Sequence, residues 1–142
     1  MAAPRPRAGV GVILWKADGA REGLLPTGED SVLVGVRKGS HGEGTLAFCG
    51  GWLEHGEDMV TCAVREMEEE TGLPPSCVED VHVAAVPPAS NILTDDDGIV
   101  TMHSVSVFVA ARLRPGVDLQ PKVMEPDKCA GWMWLPVDSL AS

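Results

Sequence analysis

Residues 50–73, GGWLEHGEDMVTCAVREMEEETGL, constrain this chain more than any other stretch, because they set a run of acid into an apolar period that suits a helix. At about 100° per residue, Val60, Ala63, Val64 and Met67 fall on one stripe, with Glu66, Glu69 and Glu70 fanned out beside it. Asp58 is a good N-cap, Gly72 a stop, and Pro74 stands just beyond. The spacing therefore predicts a helix over Met59–Thr71, entered from a flexible loop at Gly50 and Gly51. One side of that helix is buried and the other presents acid.

Carboxylates this close repel, and each like-charge i,i+4 pair costs a few tenths of a kcal/mol on an isolated helix. Hard oxygen ligands of this kind suit Mg²⁺, with Mn²⁺ as a substitute, held by a few carboxylates together with substrate phosphates. Arg65, inside the acidic run, is placed to grip one carboxylate bidentately and fix its direction. A solvated acidic face is the ordinary alternative for such a charge run, and composition does not separate the two.

The spacing is more specific. Gly51, Glu57, Arg65, Glu66, Met67, Glu69, Glu70, Gly72 and Leu73 fall in the pattern G-x5-E-x7-R-E-U-x-E-E-x-G-U, with U an apolar residue. A chance match in a chain of this length is on the order of one in a million from residue usage. The pattern resembles the Nudix box without a mismatch. The segments RKGSHGEGTLAFCGGWLEHGE and MEPDKCAGWMWLP are similar to their counterparts in the small MutT-like nucleotide hydrolases of plants and animals, which extends the resemblance over residues 8–138.

The resemblance implies an α/β fold, the Nudix-type α/β/α sandwich with a mixed sheet, in one domain over residues 9–142 behind a flexible arm at 1–8. It implies a Mg²⁺-dependent hydrolase of nucleoside diphosphate-linked compounds. The expected substrate is a nucleoside triphosphate, oxidised dGTP among the candidates, cut to monophosphate and pyrophosphate. An isoprenoid diphosphate such as geranyl diphosphate is the alternative substrate, and a non-catalytic nucleotide-sensing domain is the alternative class. Glu66 and Glu70, one helical turn apart, are the expected metal ligands. Glu69 is a further ligand or the general base, Arg65 the orienting group, and the Gly50 carbonyl a backbone ligand. Glu57 and Glu125 are candidate additional carboxylates, and Phe48, Ser106 and Trp134 the expected substrate pocket. The family usually has proline before the two glycines and His or Lys after them, whereas this chain has Cys49 and Trp52. Those departures leave the carboxylates intact and bear on pocket shape. A homodimer is a further expectation from the family.

Composition narrows the partners. With 142 residues, 44% apolar and 23% charged, one ordinary globular domain is expected. A net charge of −10 and a pI near 4.7 speak against a nucleic-acid polymer, which wants a basic surface. They do not speak against a nucleotide, because bound metal reverses the local sign. Cys49, Cys62, Cys77 and Cys129 show no CxxC spacing and read as reduced thiols of a cytoplasmic protein. The opening MAAPRPRAG has no apolar core segment and does not read as a signal peptide. No run approaches the roughly 18 apolar residues of a membrane helix.

Strands are expected at residues 10–15, 31–37, 45–48, 78–86, 99–113 and 132–135, from β-branched or alternating runs bounded by turn residues. Residues 17–30, 39–44, 87–98 and 114–127 read as loops, with 95–98 a turn that lacks the spacing and terminal glutamate of a calcium loop. Arg37 and Lys38, closing the second strand, are placed to meet phosphate. In the long run 99–113, Val105, Val107 and Val109 alternate with Ser104, Ser106 and Phe108, which predicts one face in the core and one toward the cleft. His103 and Ser106 are thus pocket candidates, while His82 reads as an ordinary strand histidine. Of Trp132 and Trp134, one is expected to face the cleft, and likeness to the family favours Trp134. A second helix beyond that point is expected to be short or missing.

Overall fold

The computed structural model describes residues 4–19, 22–39 and 42–140. Its backbone of pairing is β1 (Arg7–Lys16), which runs parallel to β7 (Val100–Leu113) from Arg7 opposite Ser104 to Trp15 opposite Arg112. Every other pairing among the described residues is antiparallel, so the eight-stranded sheet they form is mixed. β2 (Ser31–Arg37) meets β1 only at Trp15 and Lys16 and then leaves it. The space this opens along β1 is taken by β3 (Leu46–Ala47), which pairs with β2, and β4 (Cys49–Trp52), which pairs with β1 from Gly9 to Val12. β5 (Val78–Val83) and β6 (Ala89–Thr94) both line β7, and β8 (Cys129–Pro136) lies along the far edge of β2.

The helix α1 spans Met59–Thr71 as its spacing predicts. Asp58, in extended backbone, accepts from the Thr61 N–H at 2.8 Å, satisfying a donor that the first turn leaves unpaired. Gly72 ends the helix at φ 73°, a left-handed conformation that glycine adopts without strain, and its N–H bonds the Glu68 carbonyl. Ala63 and Met67 are buried as the stripe requires, joined by Cys62 and Thr71. They close over Val10, Val12, Leu14, Leu33, Cys49, Val109 and Ala111 on one face of the sheet. Burying a side chain the size of Met67 stabilises the fold by about 1.5–3 kcal/mol. The opposite face carries a second cluster around Trp15, Val32 and Val34, and among the described residues no α-helix covers it.

Several expectations change. Gly50 and Gly51 are strand rather than flexible loop: they lie opposite Gly11 and Val10 in β4. A Cβ on Gly50 would run into the Val10 carbonyl, so the close approach of these two strands requires glycine. The expected loop 87–98 contains β6, whose sequence ASNILT buries only Ala89 and Leu93, and those in part, and so carries no clear apolar period to find it by. The strand expected at 78–86 stops at Val83. Val105 is exposed although it continues the period of buried Val109. Residues 1–3 of the expected arm lie outside the described residues; Arg7 and Ala8 already belong to β1. Beyond β8, Val137–Leu140 form a 3-10 turn. The four cysteines are buried and unpaired, and no helix among the described residues is long and apolar enough to cross a membrane.

Candidate active site

A cavity of about 350 Å³ opens where β2 has left β1. Its floor is Gly50, Gly51, Glu66 and Glu70; one wall is Gly35, Arg37, Phe48 and Trp132, and Glu125 and Lys128 close the side. The helix supplies the acid because residues 66 and 70 are one turn apart and so share a face. Glu70 reaches β4, where its Oε1 accepts from the Gly50 N–H at 2.7 Å. Glu66 lies under Gly51, and a Cβ there would overlap its carboxyl group.

Arg65 organises the remaining acids. Its Nε and Nη2 grip Glu57 bidentately at 2.7 and 2.9 Å, and Nη1 reaches Glu66 at 2.9 Å and Glu69 at 3.3 Å. Nη2 also donates to the Trp52 carbonyl at 3.2 Å, which ties the fork to β4. The sequence expectation that Arg65 holds a carboxylate bidentately thus has its partner in Glu57. Glu57 itself is turned to Arg65 and does not line the cavity. Glu69 is half exposed and lies outside the lining.

The titration behaviour follows from these placements. Burial, opposed by the Gly50 N–H and reinforced by the charges of Glu66 and Glu125, pushes Glu70 up to about 7. Burial likewise raises Glu66, against the pull of Arg65. The Arg65 hydrogen bonds hold Glu57 down to about 2. Cys49, directly beneath the acids, is held firmly as a thiol by burial and by the charge of Glu70. Lys128 is raised by Glu125, whose Oε2 it meets at 3.4 Å.

Trp132 stands in the cavity where Trp134 was expected. Residues two apart share a strand face, and both tryptophans do pack toward the helix side of the sheet. They differ in position along β8: Trp132 lies opposite Gly35, Trp134 opposite Leu33 and deeper along the strand, beneath the Lys16 ammonium at 4.6 Å. A Cβ on Gly35 would come within 2.7 Å of the Trp132 ring, so this glycine is what lets the ring lie on β2. The Trp132 Nε1–H bonds the Glu70 carbonyl at 3.3 Å. Ser106 is likewise outside the lining; it belongs to the other sheet face, beside Gly9. His103 lies away from the carboxylates, and His82 bonds the Asp80 carbonyl through Nδ1. Phe48, Glu125 and Arg37 do line the cavity, and Lys38 does not. Sequence reasoning missed Trp132, Lys128 and Gly35, which only the β2–β8 register brings together.

In this conformation no three acid, imidazole or thiol groups among the described residues are close enough to hold an ion. Two partly buried carboxylates, Glu66 and Glu70, nevertheless face one cavity with Glu125 beside them, and loss of solvent raises the proton affinity of both. A hard cation suits that donor set. Turning Glu66 from Arg65 and Glu69 inward would complete it.

A mixed sheet that carries an acid-bearing helix beneath an open, partly aromatic cavity defines an α/β enzyme of the phosphate-handling kind. The chain belongs to the NUDIX domain family, whose model matches residues 5–142, and it is a pyrophosphohydrolase of that family. Solved structures share the fold. A MutT NUDIX hydrolase from Burkholderia pseudomallei is 23% identical, with a TM-score of 0.60 over 95% of this chain and 86% of that one. The NUDIX domain of Shewanella oneidensis NrtR, solved with ADP ribose, is 16% identical at 0.66, covering 98% and 78%. The Ap4A hydrolase of C. elegans is 15% identical at 0.59, covering 96% and 84%.

Proposed function

We propose that the protein is a Mg²⁺-dependent hydrolase of nucleoside diphosphate-linked compounds, acting on a nucleoside triphosphate, such as an oxidised dGTP, to give monophosphate and pyrophosphate. The observation that carries this reading is the meeting, in one cavity, of the Glu66–Glu70 pair with the Trp132 ring and the Arg37 guanidinium. Glu66 and Glu70 would hold the metal, with Glu69, Glu125 and the Gly50 carbonyl as further ligands. When bound, the ion offsets phosphate charge and makes a water more acidic. Arg65 orients Glu66 and Glu69, and Glu57 holds Arg65 in place. Glu69, exposed beside Arg65, serves as that further ligand or as the general base. Trp132 and Phe48 offer flat apolar surface to the base, and Arg37 faces the phosphate chain. The isoprenoid diphosphate reading draws on the same aromatic wall and differs only in what lies against it.

Glu69→Gln and Glu70→Gln should each lower turnover by orders of magnitude with the fold intact. A panel of nucleotides and isoprenoid diphosphates at fixed Mg²⁺, with products separated by chromatography, tests the substrate. Pyrophosphate from a nucleoside triphosphate supports the proposal. Tight nucleotide binding with no product over hours would instead make the protein a sensor.

A further inference from the structure

We infer that a second anion-binding groove, between residues 4–7 and the start of β7, takes the phosphate group of a small organic phosphate. Trp52, which replaces the His or Lys expected after the two glycines and borders the carboxylate cavity, leads to the groove through Arg7. In β4 it lies opposite Gly9, and a Cβ on Gly9 would touch the indole at 3.7 Å, so the ring lies on the bare strand. Arg7, two residues earlier on the same face of β1, places its guanidinium 4.1 Å from the indole centroid. The ring thus holds the cation in position, and among the described residues no carboxylate lies within 4 Å of it.

Arg7 also borders a separate groove of about 360 Å³ between residues 4–7 and the start of β7. Arg5 and His103 add donor nitrogens, Val100 and Met102 add apolar surface, and no Asp or Glu lines it. In a chain of net charge −10, a hollow with two arginines and no lining acid is a local reversal of sign that attracts anions. Its volume is that of a small-molecule site. The arginine forks match phosphate oxygens, and the apolar floor suits the body that bears the phosphate. The groove does not contain Glu66 or Glu70, so it needs no metal.

The test is binding to the full chain in EDTA, which removes any metal contribution from the carboxylate cavity. Inorganic phosphate, pyrophosphate and a nucleoside monophosphate are titrated while tryptophan fluorescence and heat are followed. The expected result is saturable binding that perturbs the Trp52 emission, weakens about tenfold in Arg5→Ala/Arg7→Ala, and is unchanged in Glu70→Gln. Trp52→Phe should remove the fluorescence change and keep the heat. Tighter binding of the monophosphate than of inorganic phosphate supports the apolar floor; equal binding overturns the organic-phosphate assignment. No binding in EDTA, or full binding by the double variant with its fold confirmed by circular dichroism, overturns the site.

Discussion

Gly50 and Gly51 are neighbours that must be glycine for different reasons, and alanine at each should fail in a different way. Neither has a positive φ, so alanine is conformationally admissible at both and only space decides. At Gly50 the obstacle is the Val10 carbonyl, part of the β1 backbone, which moves only if the β1–β4 pairing moves. Overpacking costs about 1–3 kcal/mol, at the upper end against backbone, and the stiffer unfolded chain returns about 0.4–1 kcal/mol. A net loss of about 2 kcal/mol lowers Tm by about 4–8 °C in a domain of this size. At Gly51 the obstacle is the far end of Glu66, which can swing aside. Gly51→Ala should therefore stay within about 1 kcal/mol of the parent. Displacing Glu66 by about 1 Å, off its 2.9 Å contact with Arg65, should lower kcat/KM about a hundredfold. Calorimetry and pyrophosphate release across a Mg²⁺ titration separate the two effects. A Gly51→Ala enzyme with parental kcat/KM and Mg²⁺ dependence, or a Gly50→Ala protein as stable as the parent, would refute the reasoning.

Because Glu70 titrates near 7 without metal and must be ionised to bind one, the apparent Mg²⁺ dissociation constant should fall about tenfold per pH unit below about 6.5 and level off above about 7.5, measured by calorimetry. In metal-free protein the same carboxyl is more basic folded than its ordinary value near 4.5, so its contribution to stability is full below 4.5 and is lost as pH rises through 7. Urea midpoints should show that decline flattened in Glu70→Gln. Glu57, held down to about 2, acts in reverse: its contribution is present above 4.5 and lost as pH falls toward 2, and Glu57→Gln should remove that acid limb. Asp58→Ala, which loses the cap to Thr61, should cost about 1 kcal/mol in chemical denaturation without changing KM. Gly35→Ala, crowding Trp132, should raise KM for the preferred substrate more than it changes kcat, as steady-state kinetics would show.

The helix was legible in the sequence down to both caps, because period, cap and stop are local properties and α1 satisfies all three within residues 58–72. The Glu66–Glu70 pair followed from the same local geometry, as did a bidentate role for Arg65. Partners distant in the chain did not. That Arg65 chooses Glu57, that Gly50 pairs with β1 and caps Glu70, and that β6 is a strand at all are decided by which backbones lie side by side. The pocket shows the limit most clearly. Trp132 and Trp134 have the same side chain, strand and face, and no feature of residues 132–135 distinguishes them. The β2–β8 register decides, setting one opposite a glycine at the cavity and the other opposite Leu33 in the core. Local chemistry fixed where the acids sit; long-range strand pairing fixed what faces them, since side-chain periodicity records which way a residue points and not which strand lies beside it.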